Sequence, residues 1–588
     1  MNPKESEYSK IVQTLYNIPL ITGIAGSVTQ SDFVYISTET GIPLLYCWHN
    51  GKKEVISPPD EPIMGCTKLH STSPRAIYAK DTSGNENYAL YVTDYSKHSI
   101  QKITEEPIGR LSKLFWYSDT EWIVIGCDKQ EYYIKVISQD YQHSLYSTHE
   151  QILTADYDDT RQVLVAAVGR GAGTKLALIN VNTDNKTDNN IVWISESDTS
   201  EDTFPCIYSD TGHLAYTTDV SGHTEIVVRS IEDLDEVCRV NVPGDIGFLP
   251  GTATLVWVNE NTMLCGVAKH AEISPRVVTI PGGEWSDPVL DGSVLGAAAT
   301  KSGILLHGSS LSQPHCIQRL HNNTVVTIIK PDHENFIPGE SHWYTSFDGR
   351  KIQGWLLRSS DPEAPLIMYC HGGPNFATLN MWRPDVQALV QGGYHVFAPN
   401  FRGSTTFGSE FRDLNIKDLG GGDLKDVMYG ATYAAEILGI TEKPAITGGS
   451  YGGYLTLMAL TLHPDEWQGG VSLIPLVDIV KTYELADAHY KALYEHLLGG
   501  TPEERPELYR EQSPITHLEN LIHSVLIIAG ENDPRCPLQP IHTFYEKAQQ
   551  LNVPVDLEVI PKEGHGAAVV SNMMKMNVLQ LEFLKTLF

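Results

Sequence analysis

The residues best suited to covalent chemistry sit in one short run, Ile446-Thr447-Gly448-Gly449-Ser450-Tyr451-Gly452-Gly453-Tyr454. Gly448, Ser450 and Gly452 have the spacing G-x-S-x-G, which occurs once in the chain. The run lies between a β-forming and a helix-forming segment. There it predicts a sharp strand-to-helix turn that projects the Ser450 hydroxyl. Glycines two before and two after remove the side chains that would collide in such a turn. The helix that follows places its positive end near developing negative charge.

A serine hydroxyl is a weak nucleophile at neutral pH and needs a base, oriented by an acid. On this kind of turn the chain order is serine, acid, then histidine. The acid is expected after a late strand. Val525–Gly530 opens into Glu531-Asn532-Asp533-Pro534-Arg535, where Asp533 is the first choice and Glu531 the competitor. The base is expected after the last strand, where His565 stands between Gly564 and Gly566. The oxyanion formed on attack needs backbone N–H donors. Tyr451, next after the nucleophile, is one. Gly373, in the run His371-Gly372-Gly373-Pro374, is the expected second, and His371 reads as structural.

These residues require a framework of strands and helices. From about residue 340 the apolar runs HWYTSFD, KIQGWLLR, PLIMYC, YHVFAP, PAIT, GGVSLIP, VLIIAG and VDLEVI alternate with amphipathic stretches, such as those from Asp423 and Ile541. Strands alternating with helices imply a mostly parallel sheet covered on both faces, here of the α/β-hydrolase type. Before about residue 330 the texture is strand after strand. Seven runs, starting at Phe33, Ala76, Trp122, Val163, Leu214, Met263 and Ile304, recur at steps of 41 to 51 residues. That is the size of one propeller blade, so a seven-bladed β-propeller is expected, with an irregular pair of β-sandwiches as the alternative. The expected division is an N-terminal segment at 1–20, a helix outside the propeller; the propeller at 21–330; a polar linker at 331–341; and the α/β-hydrolase domain at 342–588.

Composition narrows the partners. Lys plus Arg is 42 against 72 Asp plus Glu, a net charge of −30, which leaves no broad basic face for nucleic acid or an anionic membrane. The nine cysteines include no C-x-x-C pair, which argues against a disulfide framework and a structural zinc site. The first twenty residues lack the basic-then-apolar pattern of a secretory signal, and no run is long and apolar enough to span a bilayer. A reducing cytoplasm is the expected location.

The chain resembles the prolyl oligopeptidase family of serine peptidases, most closely its acylaminoacyl-peptidase branch. The resemblance rests on HGGP at His371, NFRGSTTFG at Asn400, GGDLKDV at Gly421, GGSYGG at Gly448, NDPRCP at Asn532 and EGHG at Glu563. It implies Ser450, Asp533 and His565 as a triad, Gly373 and Tyr451 as the oxyanion hole, and no metal or cofactor. It also implies Arg535 as a substrate-orienting residue, for which an ion pair with nearby acids is the competing reading. The implied substrates are short or N-acylated peptides, with homo-oligomers among the assemblies such proteins form. An esterase, a specialised amide hydrolase or an acyltransferase would share the acyl intermediate; a propeller scaffold without activity is the non-enzymatic alternative. Adjacent glutamates, which anchor a free amine in the dipeptidyl-peptidase branch, occur only at Glu105 and Glu503, neither in a plausible propeller loop. Asn375 and Cys536 depart from the common pattern. The first leaves the specificity of its loop open, and the second reads as packing beside the site.

Overall fold

The computed structural model describes residues 7–588 except 64, 66, 171–172, 182–190, 248–253, 289–291, 322–323 and 334–335. Seven consecutive antiparallel sheets cover 21–55, 67–102, 110–148, 152–193, 203–241, 245–286 and 293–329. They are the blades of a propeller, numbered here in chain order. The first strands of neighbouring blades touch around the centre of the ring; in blade 6 that strand is Leu255–Asn259. Outer strands such as Ser99–Lys102 in blade 2 are exposed throughout.

Each of the seven runs found in the sequence falls on the second strand of a blade or, in blade 6, on its middle strand Thr262–Lys269. These strands are covered on both faces, as in Phe33–Ser37 and Val163–Val168, where every residue is buried. A strand covered on both sides reads as a continuous apolar run, which is why the period is visible. Seven apolar clusters fill the seams between blades. The last joins Phe33, Tyr35 and Tyr46 of blade 1 to Leu305 and Ile317 of blade 7. The ring therefore closes by packing, with every blade built from consecutive chain.

The second domain holds one eight-stranded sheet. Its strands are β1 (Glu340–Thr345), β2 (Lys351–Leu357), β3 (Leu366–Cys370), β4 (His395–Asn400), β5 (Ala445–Gly449), β6 (Gly470–Leu473), β7 (Val525–Gly530) and β8 (Val555–Ile560). The spatial order is β1-β2-β4-β3-β5-β6-β7-β8, antiparallel at β1–β2 and β2–β4 and parallel elsewhere. Helix α1 is the N-terminal segment Glu7–Tyr16. In this domain α2 is Pro384–Gln391, α3 Gly422–Leu438, α4 Tyr451–Leu462, α5 Ala488–Leu498, α6 Leu538–Leu551 and α7 Val570–Leu584. The sheet has apolar cover on both faces, with α4 at its centre almost wholly buried. Helix α1 lies outside the propeller, against α2 and α7, where Asn577 Nδ2 donates to Tyr16 Oη at 2.9 Å.

Candidate active site

Ser450 sits between β5 and α4 with φ 58° and ψ −116°, a conformation that an L-residue holds only when its surroundings fix it. The two motif glycines make the turn possible by close approach. A Cβ on Gly448 would lie 2.3 Å, and one on Gly452 2.0 Å, from the carbonyl oxygen of Cys370 at the end of β3.

The acid and the base come from the loops after β7 and β8. Ser450 Oγ and His565 Nε2 are 2.9 Å apart, and His565 Nδ1 and Asp533 Oδ2 2.8 Å apart. The tautomer that satisfies both contacts has Nδ1–H donating to Asp533 and Nε2 accepting from Ser450. Asp533 is buried, and its Oδ1 accepts the backbone N–H groups of Arg535 at 2.8 Å and Cys536 at 2.9 Å. Both carboxylate oxygens are thus engaged and the side chain is fixed. Glu531 points elsewhere, accepting the Lys562 N–H at 2.8 Å, so the choice between the two acids falls on Asp533.

Donor atoms of Asp533, Cys536 and His565 lie within 4.8 Å of one another, the one group among the described residues placed to hold a metal ion. The hydrogen bonds above already occupy the carboxylate and the imidazole. Burial pushes the Cys536 thiol well above its usual range, which keeps it protonated and a poor ligand. The arrangement fits proton relay better than metal binding.

The loop from β3 brings His371-Gly372-Gly373-Pro374 beside the elbow. A Cβ on Gly372 would stand 3.5 Å from the Ser450 Cβ. Gly373 has φ 129°, and a side chain there would meet the backbone nitrogens of Asn375 and Phe376 at 2.8 and 3.0 Å. His371 supports this loop. Its ring stacks on Phe401 with centroids 4.2 Å apart, Nε2 lies 2.8 Å from Ser404 Oγ, and burial lowers its pKa to about 4. The NFRGS and GGDLKDV motifs meet beneath: Arg402 Nη2 donates to Asp426 Oδ1 at 2.8 Å. Tyr451 turns its side chain inward, where its hydroxyl donates to buried Asp423. Its backbone is left as the start of α4.

Sequence reasoning missed the propeller's part in the site. The blade 2 loop at 83–86 touches the loops that carry Asp533 and His565. Asn532 Nδ2 donates to Ser83 O at 3.1 Å, Gly84 abuts Gly564, and Arg535 Nε donates to Glu86 Oε1 at 2.6 Å. Glu86 also pairs with Arg110, whose Nε donates to Asp487 Oδ2 at 2.8 Å, just ahead of α5. Arg535 therefore makes the ion pair that competed with its substrate-orienting reading. Single charges in turns carry no periodic signal, so nothing local pointed to Glu86 or Arg110. Also missed was Glu563, buried, which accepts the N–H groups of Ala568 and Val569 and ties the His565 loop to the start of α7. A cavity of about 260 Å³ lies between blades 5 and 6 and the β3 loop, with Thr217, Asp245 and Ile273 facing Asn375, Phe376 and Arg412.

Residues 380–588 match the prolyl oligopeptidase family, and that stretch contains Ser450, Asp533 and His565. Over this region the chain is similar to that family. The dipeptidyl aminopeptidase BIII of Pseudoxanthomonas mexicana is 31% identical over 237 residues, 38% of this chain and 33% of that protein. The acylamino-acid-releasing enzyme of Rattus norvegicus is 26% identical over 271 residues, 44% of this chain and 36% of that one. The matches thus span about a third of the length of these relatives. Among solved structures, a puromycin-hydrolyzing peptidase of Mycobacterium tuberculosis aligns over 99% of this chain and 96% of its own, with a TM-score of 0.82 at 16% identity. That likeness concerns the fold, a propeller joined to an α/β-hydrolase domain.

Proposed function

We propose that this protein is a serine peptidase that cleaves amide bonds of short or N-acylated peptides through an acyl-enzyme. The observation that carries the reading is the unbroken relay from Ser450 through His565 to Asp533, set at 2.9 and 2.8 Å. His565 takes the Ser450 proton as Oγ attacks the carbonyl. Asp533 holds the imidazolium, and the N–H groups of Gly373 and Tyr451 receive the oxyanion. His565 then protonates the leaving amine, and water repeats the cycle on the ester. The chain's own residues supply every proton transfer.

A dipeptidyl aminopeptidase, the activity named for the Pseudoxanthomonas relative, needs a carboxylate free to hold the substrate's α-amine. The propeller acid beside the Asp533 loop, Glu86, is already shared by Arg110 and Arg535. That favours substrates without a free amine. An esterase or an amide hydrolase acting on another metabolite is the second reading, because the relay itself does not distinguish acyl substrates.

A reducing cytoplasm suits the free cysteines, and the charge of −30 disfavours nucleic acid and anionic membrane as partners. Among the described residues no helix is long and apolar enough to cross a membrane. Exposed outer strands leave edges on which a homo-oligomer would form.

The deciding experiment compares acetylated, free-amine and internal-peptide chromogenic substrates. The acetylated compound is expected to be cleaved fastest, with activity lost in Ser450→Ala. A free-amine dipeptide substrate turned over faster by more than about tenfold would replace this reading with the aminopeptidase one.

A further inference from the structure

Four arginines stand where the propeller meets the second domain, and three of them have carboxylate partners. Arg110 pairs with Glu86 and Asp487, Arg535 with Glu86, and Arg412 with Glu201 and Asp413. The fourth, Arg170, lies two residues beyond the second strand of blade 4 and has no carboxylate within ion-pair distance among the described residues. Its one hydrogen bond there runs from Nη1 to Gln151 Oε1 at 2.7 Å. Nε and Nη2 donate to no described residue.

The surroundings hold Arg170 in place without neutralising it. Gln151 is buried and its amide nitrogen faces His489 Nδ1 at 3.3 Å, so the amide is locked between the two side chains. Burial and the nearby arginines hold His489 down at about 3, and His496 is lowered as well, so both are neutral and add no positive charge of their own beside Arg170. Glu201 is within electrostatic reach of Arg170, but Arg412 Nη2 holds it at 3.1 Å. A half-buried guanidinium with no carboxylate partner gains most from a planar anion that takes two of its N–H groups together.

The position relates this group to the relay. Arg170 has Tyr490 of α5 among its electrostatic neighbours, and the Tyr490 ring centroid lies 5.9 Å from the Arg535 guanidinium, two residues past Asp533. Two charged neighbours, Arg412 and Glu201, line the cavity beside the β3 loop.

We propose that Arg170 anchors a carboxylate of the substrate in the chamber between the two domains. The proposal rests on the peptidase reading and gives it a substrate class, peptides bearing a C-terminal or side-chain carboxylate near the scissile bond.

The test uses the full chain and one N-acetylated peptide in three forms: free acid, C-terminal amide, and amide with one glutamate. Wild type is expected to favour a carboxylate form over the neutral amide by about tenfold or more in kcat/KM, carried mainly by KM. The free-acid and glutamate arms show which carboxylate is read. In Arg170→Gln and Arg170→Met that preference is expected to shrink below about twofold. The same peptides are also measured as competitors of fluorophosphonate labelling of Ser450, so a carboxylate preference is read even if none of them is cleaved. Labelling of the variants at the wild-type rate shows that they are folded. No preference in wild type, or a preference that survives both substitutions, overturns the proposal. Absence of cleavage with the competition preference intact would overturn the peptidase reading alone.

Discussion

Gly84 of the propeller and Gly564 of the hydrolase domain lie backbone to backbone; a Cβ on Gly564 would stand 2.0 Å from the Gly84 carbonyl oxygen. The loop that carries His565 is thus shaped partly by blade 2. Gly564→Ala forces the two loops apart and moves the imidazole. The expected result is a fall in kcat of roughly a hundredfold, since small misplacements of a catalytic group cost that much. Fluorophosphonate labelling should slow in parallel. Unchanged kinetics would show that the contact leaves His565 free to settle.

Asp533→Asn keeps the shape of the acid and removes its charge. With an amide in place of the carboxylate, His565 no longer has a fixed tautomer or a stabilised imidazolium. A drop in kcat of about 10⁴-fold is expected, against little change from Glu531→Gln. Steady-state assays of the two variants side by side check the assignment; equal losses would shift the acid to Glu531.

The residues of the relay could be read from the sequence because each lies on a turn whose residue types its geometry requires: Ser450 between glycines, Asp533 after an apolar strand, His565 between glycines. The blades could be read because their second strands are apolar on both faces. What could not be read is the contact between the halves. Glu86 and Arg535 are 449 positions apart, and each alone looks like any surface charge. Arg535 is where the pattern was ambiguous, and the ion pair it makes is a property of the assembled interface.

Glu86→Gln tests that interface. The change leaves Arg535 without its partner and Arg110 with Asp487 alone. Removing one member of a partly buried charge network typically costs about 1–3 kcal/mol. Urea unfolding should show a loss of this size in the variant, accompanied by a rise in KM. A midpoint equal to wild type would mean that the two arginines find other partners.

Asp423 supplies a pH dependence. It is buried beneath Tyr451, and desolvation raises its carboxyl to about 7. The folded protein therefore binds a proton here more tightly than the unfolded chain. The stability this provides is fully present below about pH 4 and is lost as pH rises through 7. Asp423→Asn removes that slope. Relative to wild type the variant should gain stability between about pH 4 and 7, by up to about 4 kcal/mol. Denaturant titrations at pH 5 and 8 measure it; a wild-type-minus-variant difference that does not change with pH would contradict the buried, proton-retaining carboxyl.

Helix α1 packs against α2 and α7, so the chain enters blade 1 from the hydrolase domain and returns to it from blade 7, the blade that closes the ring. Both covalent tethers therefore hold neighbouring blades on one side of the disc. Blades 3 and 4, which carry Arg110 and Arg170, are joined to the other domain only by noncovalent contacts. A rigid swing of the disc about the tethered side would part the two bodies widest near those arginines, making that side the natural mouth.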